Sequence, residues 1–195
     1  MVKTICIVFS RDIESMCQTS TVSKEIAEIV MKSSKETREK DLTSISKNWQ
    51  SFECCIDLII TIQRPKETDE TSKNPNIHRR KQFKAKFDFI HFLILTKKYR
   101  FLLQFLNLCK GTITPKNVRI DEDSKKVSQI PRREDSWIFG ANYVHLAAKY
   151  CPEALEILLQ EQDSRFKELP RQHNSRRNVY PLHLAVMNEN NLAAK

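Results

Sequence analysis

The feature that most constrains this chain is a short pattern that recurs on the same three residue types. Gly140-Ala141-Asn142-Tyr143-Val144-His145 leads into Leu146-Ala147-Ala148, and Tyr180-Pro181-Leu182-His183 leads into Leu184-Ala185-Val186. The two histidines lie 38 positions apart, each followed by Leu-Ala, and a weaker copy surrounds His91 in Phe89-Ile90-His91-Phe92-Leu93-Ile94. After His145 a break at Cys151-Pro152 precedes a second apolar run with Leu155, Ile157, Leu158 and Leu159. Proline is tolerated in the first turn of a helix but not inside one, so Pro152 closes one helix and opens another. Two helices this short cannot bury their own apolar faces and must stack on a neighbour. The same reading makes Phe87 to Leu108 a helical pair, with Phe101, Leu102, Phe105 and Leu106 facing inward.

A spacing in the thirties, built on a turn, a Pro-Leu-His-type start and two helices, resembles the ankyrin repeat. The expected architecture is mainly α, an ankyrin-repeat solenoid of about three imperfect repeats preceded by a small β-containing segment. The resemblance implies that His91, His145, His183 and Pro181 are structural, each histidine hydrogen-bonding backbone to hold its turn. One such histidine per repeat is what stacking requires, which argues against metal ligands or catalytic bases. Two stretches interrupt the repeats, Cys109 to Trp137 and Glu161 to Arg177, and neither carries a clear periodicity.

Upstream, Val2 to Phe9 is β-branched and apolar and reads as a buried strand. Val22, Ile26, Ile29 and Val30 share one helical face, with Thr21 or Ser23 as the cap. Ser33 to Lys47 shows no pattern. Cys55 to Gln63 alternates, with Ile56, Leu58, Ile60 and Ile62 on one side, as a strand buried on one face does. Lys66 to Ile77 is polar and reads as a linker. It leads into a basic run containing Arg79, Arg80, Lys81, Lys84 and Lys86 with no acid among them. Such runs attract phosphates, acidic lipid or importin-type carriers with acidic grooves, and many are merely solvated.

These pieces stand in the order found in one family. Thr4 to Phe9 and Ile56 to Pro65 are similar to the last two strands of the Rel dimerisation sandwich, which also ends in an Arg-Pro turn. A basic nuclear-import signal and IκB-like ankyrin repeats follow in Relish-like precursors of the Rel/NF-κB family. By this resemblance residues 1–65 form a partial Rel-dimerisation-like segment with one helix, 66–86 a basic linker, and 87–195 ankyrin repeats with long insertions. A Rel sandwich needs about seven strands, and only two can be found. The family's DNA-recognition loop, an Arg and a Tyr ahead of Cys-Glu, has no match, so autonomous sequence-specific DNA binding is not expected.

The resemblance implies a protein-binding module that engages a Rel/NF-κB-type protein or dimer and masks an import signal that importin would otherwise take. It would thereby regulate transcription in innate immune signalling, from the cytoplasm with regulated nuclear entry. Two other readings stay open: a generic ankyrin scaffold unrelated to Rel, and a nucleic-acid binder driven by the net charge of +9. The sequence contains no sign of an enzyme, a cofactor or a membrane partner. Only two glycines, Gly111 and Gly140, exclude a Gly-rich phosphate loop. Six cysteines without C-x-x-C spacing and without a signal peptide read as reduced thiols rather than as a zinc site or disulfide framework. His78 and His173 sit in charged loops with no nucleophile or ligand set beside them.

Overall fold

Ser20 places its side-chain oxygen on the backbone N–H of Ser23 at 3.0 Å and starts helix α1, Thr21–Lys32. The cap is thus neither Thr21 nor Ser23, the two expected, and Ser23 has a different task. Its hydroxyl is fully buried and accepts from the Glu53 backbone N–H at 3.0 Å, tying α1 to the start of the sheet. A computed structural model describes residues 20–33, 39–62, 79–120, 137–161, 164–174 and 178–187, with backbone alone at 39, 56–62, 79–83 and 120. The strand expected at Val2 to Phe9 and the linker at Lys66 to Ile77 lie outside these residues.

Of the face read from the sequence, Ile26 and Val30 are buried and Val22 and Ile29 are partly buried against the same core, which Ala27 joins. Residues 33–47, which show no sequence pattern, include helix α2, Glu39–Asn48, which buries Ile45 ahead of the buried Trp49. Two apolar residues, Leu42 and Ile45, in a polar helix are too thin a stripe to register as periodicity.

Strand β1 is Cys54–Ile62, close to the expected bounds. Its partner is a correction. Arg79, Arg80, Lys81, Lys84 and Lys86, expected in a linker, lie in strand β2, Arg79–Phe87. The strands pair antiparallel from Cys54 opposite Phe87 to Ile62 opposite Arg79. Behind the charge run is a period of two: Phe83, Ala85 and Phe87 alternate with Lys84 and Lys86. Ala85 and Phe87 are buried while Lys84 is exposed, so the alternation is expressed at this end of the strand. A two-residue strand β3, Arg119–Ile120, adds to β2 and completes a three-stranded sheet in the order β1-β2-β3.

The rest is helical. α3, Phe89–Leu95, and α4, Tyr99–Leu108, form the first pair, and Phe101, Leu102, Phe105 and Leu106 are all buried as expected. The turn between them closes with Lys98 N–H on the Leu93 carbonyl at 2.9 Å and Lys97 N–H on the Ile94 carbonyl at 3.1 Å. This is a Schellman turn, and Lys97 holds at φ 56° the left-handed position usually given to glycine. The Lys98 ammonium reaches the Ser33 carbonyl at 3.3 Å, at the C-terminal end of α1 where a cation is favoured. The second pair is α5, Tyr143–Tyr150, and α6, Pro152–Gln160, with Pro152 in the first turn of α6. A one-turn helix α7, Ser164–Lys167, and a 3-10 turn, Leu169–Arg171, lead to α8, Pro181–Met187.

The three histidine-bearing helices pack in sequence order, α3 against α5 and α5 against α8, with α4 against α6 and α2 against α4. One continuous core runs from Ile26 through Cys54 and the helix pairs to Ala185. The division at residues 65 and 87 therefore does not coincide with a division of the core. The described chain is mainly helical with a small sheet.

The stack is asymmetric at its far side. Ile90 and Ile94 of α3, like Val144 and Ala148 of α5, are buried, whereas their register mates on α8, Leu182 and Val186, are 56% and 61% exposed. Among the described residues no further helix covers α8.

Candidate partner-binding surface

The three histidines occupy one structural position. On α3, Asp88 is the N-cap: its carboxylate accepts from the His91 N–H at 3.1 Å, and the Asp88 N–H lies 3.3 Å from His91 Nδ1. On α5, Asn142 accepts from the His145 N–H at 3.1 Å and its own N–H reaches His145 Nδ1 at 3.3 Å. On α8 the Tyr180 N–H donates to His183 Nδ1 at 3.1 Å. The first two are capping boxes in which the third helical residue reaches back to the cap, with imidazole in place of the more usual Glu or Gln; on α8 only the reach-back bond of the histidine is present. Tyr180 offers no capping side chain, and Pro181 follows it in the first turn, where a missing N–H costs nothing. Sequence reasoning identified the histidines and missed Asp88 and Asn142. Both stand three residues before a histidine and are preferred cap types, so the signal was available.

Neighbouring units are tied through these caps. His145 Nε2 donates to the Val179 carbonyl at 2.8 Å, four residues before His183. A carbonyl only accepts, so His145 carries a proton on Nε2, while its Nδ1 lies 3.3 Å from the Asn142 backbone nitrogen and 2.8 Å from Asn142 Oδ1. The Val179 carbonyl also takes the Asn174 N–H at 3.0 Å, and the buried Asn174 amide donates to the Trp137 carbonyl. Between α3 and α5 a different bond serves. The Tyr143 hydroxyl donates to Asp88 Oδ2 at 2.5 Å, while His91 Nδ1 lies 2.9 Å from Asp88 Oδ1. His91 Nε2 is buried with no hydrogen-bond partner. The carbonyl matching that of Val179 is Ala141, four residues before His145, and it already accepts from the Val118 N–H at 2.8 Å.

The titration of these groups follows from their partners. Burial alone would raise the Asp88 carboxyl, but the neighbouring His91 and the hydrogen bonds from His91 and Tyr143 outweigh it and hold Asp88 below its usual range. Burial and the Asp88 charge push the Tyr143 phenol far up, so it stays a donor. Burial pushes His145 below its ordinary value; the bond to Val179 opposes this and the neighbouring His173 adds to it. Burial raises the thiols of Cys109 and Cys151, which makes them poor nucleophiles. Among the described residues no group of three His, Cys, Asp or Glu could hold a metal ion. No helix among them is long and apolar enough to cross a membrane.

A depressed His145 contributes stability that is present above its unfolded pKa of about 6.5 and is lost as pH falls below it, because the unfolded chain then binds the proton more readily. Asp88 acts in the same direction, but only at the acid end of the carboxylate range. The melting temperature is therefore expected to fall as pH is lowered from about 7.5 to about 5.5, and His145→Gln should flatten that dependence. At pH 7.5 His145→Ala and His91→Ala should each cost about 2–3 kcal/mol, since both side chains are buried and bonded, and exposed His183→Ala under about 1 kcal/mol. Thermal melts at the two pH values and urea titrations at pH 7.5 measure these effects; equal costs at all three histidines would mean that burial adds nothing to the cap contact they share.

Of the basic cluster, Lys84 is exposed and Lys86 lies 3.5 Å from Glu53, while the side chains of Arg79, Arg80 and Lys81 are outside the described set. The backbones of these last three residues pair with those of Ile62, Thr61 and Ile60. Lys86 lines a small cleft together with Asp88 and His91, whereas Lys84 does not. A second basic surface, absent from the sequence reading, opens between residues 115–119 and 165–172. It is a groove of about 720 Å³ lined by Lys116, Arg119 and Arg165 with Asn117, Glu168 and Gln172. Its cations come from stretches that show no periodicity, so only the fold brings them together.

No family model, no curated protein and no solved structure matches this chain.

Proposed function

We propose that the chain is a protein-binding module of ankyrin-like repeats that engages a Rel/NF-κB-type factor and controls a nuclear-import signal, and so regulates transcription. The observation that carries the repeat reading is the recurring cap: Nδ1 of His91, His145 and His183 each faces the backbone N–H three residues before it, on helices packed side by side. Stacked repeats of this kind bind proteins through the surface they present and need no catalytic group.

The Rel part rests on the likeness of 56–65 and on what that segment does here. Strand β1, the Rel-like strand, pairs along its length with the basic strand β2. An extended peptide docks through main-chain hydrogen bonds, and those of Arg79, Arg80 and Lys81 are engaged while they pair with β1, which withholds the run from a carrier. The chain's own Rel-like strand thereby masks the signal in cis. The whole-protein consequence is signal-dependent movement from cytoplasm to nucleus.

The test is capture by a Rel-homology dimer, together with the cellular distribution of a variant carrying Arg79→Ala, Arg80→Ala and Lys81→Ala. Retention on the dimer and loss of nuclear signal in the variant are expected. A chain that ignores the dimer and distributes like its triple variant ends the Rel reading and leaves the generic scaffold. Salt-sensitive retention on DNA without any protein partner would favour nucleic-acid binding instead.

A further inference from the structure

The groove between residues 115–119 and 165–172 is built from two connecting segments, yet both walls are fixed. On one side Val118 is buried and exchanges backbone bonds with the turn before α5: its N–H to Ala141 at 2.8 Å, and its carbonyl from Gly140 at 3.0 Å. Arg119 then enters the sheet opposite Lys86. On the other side the Leu169 carbonyl accepts from the Asn142 side-chain amide at 3.0 Å, and Phe166 stacks on Tyr143 with ring centroids 6.2 Å apart. The same short turn, Ala141 to Tyr143, therefore holds both walls. Their spacing is set by the cap of α5.

Three cations line the space, Lys116, Arg119 and Arg165, against one carboxylate, Glu168, among the described residues. Arg119 is 68% exposed and lies 3.7 Å from the Glu53 carboxylate. Asn117 and Gln172 supply amides that donate and accept, and Pro115 and Leu169 supply an apolar floor. A volume of about 720 Å³ falls within the roughly 300–1,000 Å³ typical of a ligand site. A second cleft of about 100 Å³ shares Lys116, Asn117 and Arg119 with it and continues toward Lys86.

We propose that this groove takes an extended, acidic segment of a protein partner, with Asp or Glu side chains at Lys116, Arg119 and Arg165 and an aliphatic side chain on Pro115 and Leu169. A nucleic-acid strand fits it less well. No aromatic ring among the lining residues offers a stacking platform. Amides flanking cations suit a peptide, whose backbone needs both donors and acceptors. The inference narrows the partner class of the protein-binding reading, and it rests on the groove rather than on the Rel likeness.

The experiment uses the full chain and a fluorescein-labelled peptide of alternating Glu and Leu, read by anisotropy. Lys116→Glu, Arg119→Glu and Arg165→Glu are combined in one variant. A control combines Lys24→Glu, Lys40→Glu and Lys47→Glu, exposed on α1 and α2, which removes the same net charge. The groove variant is expected to lose about tenfold or more in affinity and the control less than about twofold. A Gln version of the groove variant should lose affinity in the same order, and circular dichroism checks that each variant is folded. Equal losses in groove and control variants would reduce the effect to net charge and overturn the proposal, as would an undiminished groove variant or no binding by the parent chain. A single-stranded oligonucleotide that binds tighter than the peptide, and is lost in the groove variant alone, would assign the groove to nucleic acid and overturn it too. A chain that ignores a Rel dimer but binds the peptide through these three residues keeps the groove and loses only the Rel partner.

Discussion

Replacing Tyr143 by Ala is expected to remove about 3–5 kcal/mol of stability, as large-to-small changes at buried aromatics do. Small domains hold only about 5–15 kcal/mol in all, so the variant should be partly unfolded at physiological temperature. Three separate contacts end on this side chain. Its ring lies 4.6 Å from that of His91 in an edge-on contact and 6.2 Å from that of Phe166 in a stacked one. Its hydroxyl reaches Asp88, the cap of the preceding histidine helix. The truncation therefore opens a cavity between two helix pairs and also deprives a buried carboxylate of a donor. Tyr143→Phe separates the two effects, since it keeps the ring and removes only the hydroxyl. A cost of about 1–3 kcal/mol is expected for that variant, with the Asp88 carboxyl moving toward its usual range. Urea unfolding gives both numbers. A Tyr143→Ala chain within about 1 kcal/mol of the parent would mean that α3 and α5 do not depend on this contact.

How much of this was legible depends on what kind of signal a residue leaves. His91, His145 and His183 could be paired from sequence because a stacked unit repeats its constraints at fixed register, and Leu-Ala after two of them marks the buried face. Phe101, Leu102, Phe105 and Leu106 were legible for the same reason, as one stripe of a helix. The strand over Arg79–Phe87 was not, because five cations hid a period of two that only Phe83, Ala85 and Phe87 carry. Charge density and strand alternation are independent properties, and the first says nothing about the second. The groove was beyond sequence reasoning altogether. Lys116 and Arg119 are far along the chain from Arg165, and what unites them is the bonding of Val118 to Ala141 and of Asn142 to Leu169. Loops that are fixed by tertiary bonds have no periodicity to read.

The second large effect concerns the boundary that the sequence places after residue 65. Phe52 comes from the segment ahead of β1 and is almost fully buried, with its ring 5.4 Å from Phe89 and 5.2 Å from Phe92 of the first histidine helix. Trp49 packs edge-on against Phe105 of α4 at 5.4 Å. If α1 and α2 share one core with the helix pairs, Phe52→Ala should cost about 3–5 kcal/mol and destabilise both regions together. The chain carries a reporter in each: Trp49 beside α4, and Trp137, which lies 6.0 Å from Tyr150 of α5. Trp49→Phe and Trp137→Phe leave one reporter apiece, and their fluorescence transitions in urea should coincide in the parent background. Phe52→Ala should move both midpoints down by the same amount. Were the Trp49 transition alone to move, α1 and α2 would be an independently melting layer on the helix pairs. That would restore a boundary in the chain, but one set by stability rather than by packing.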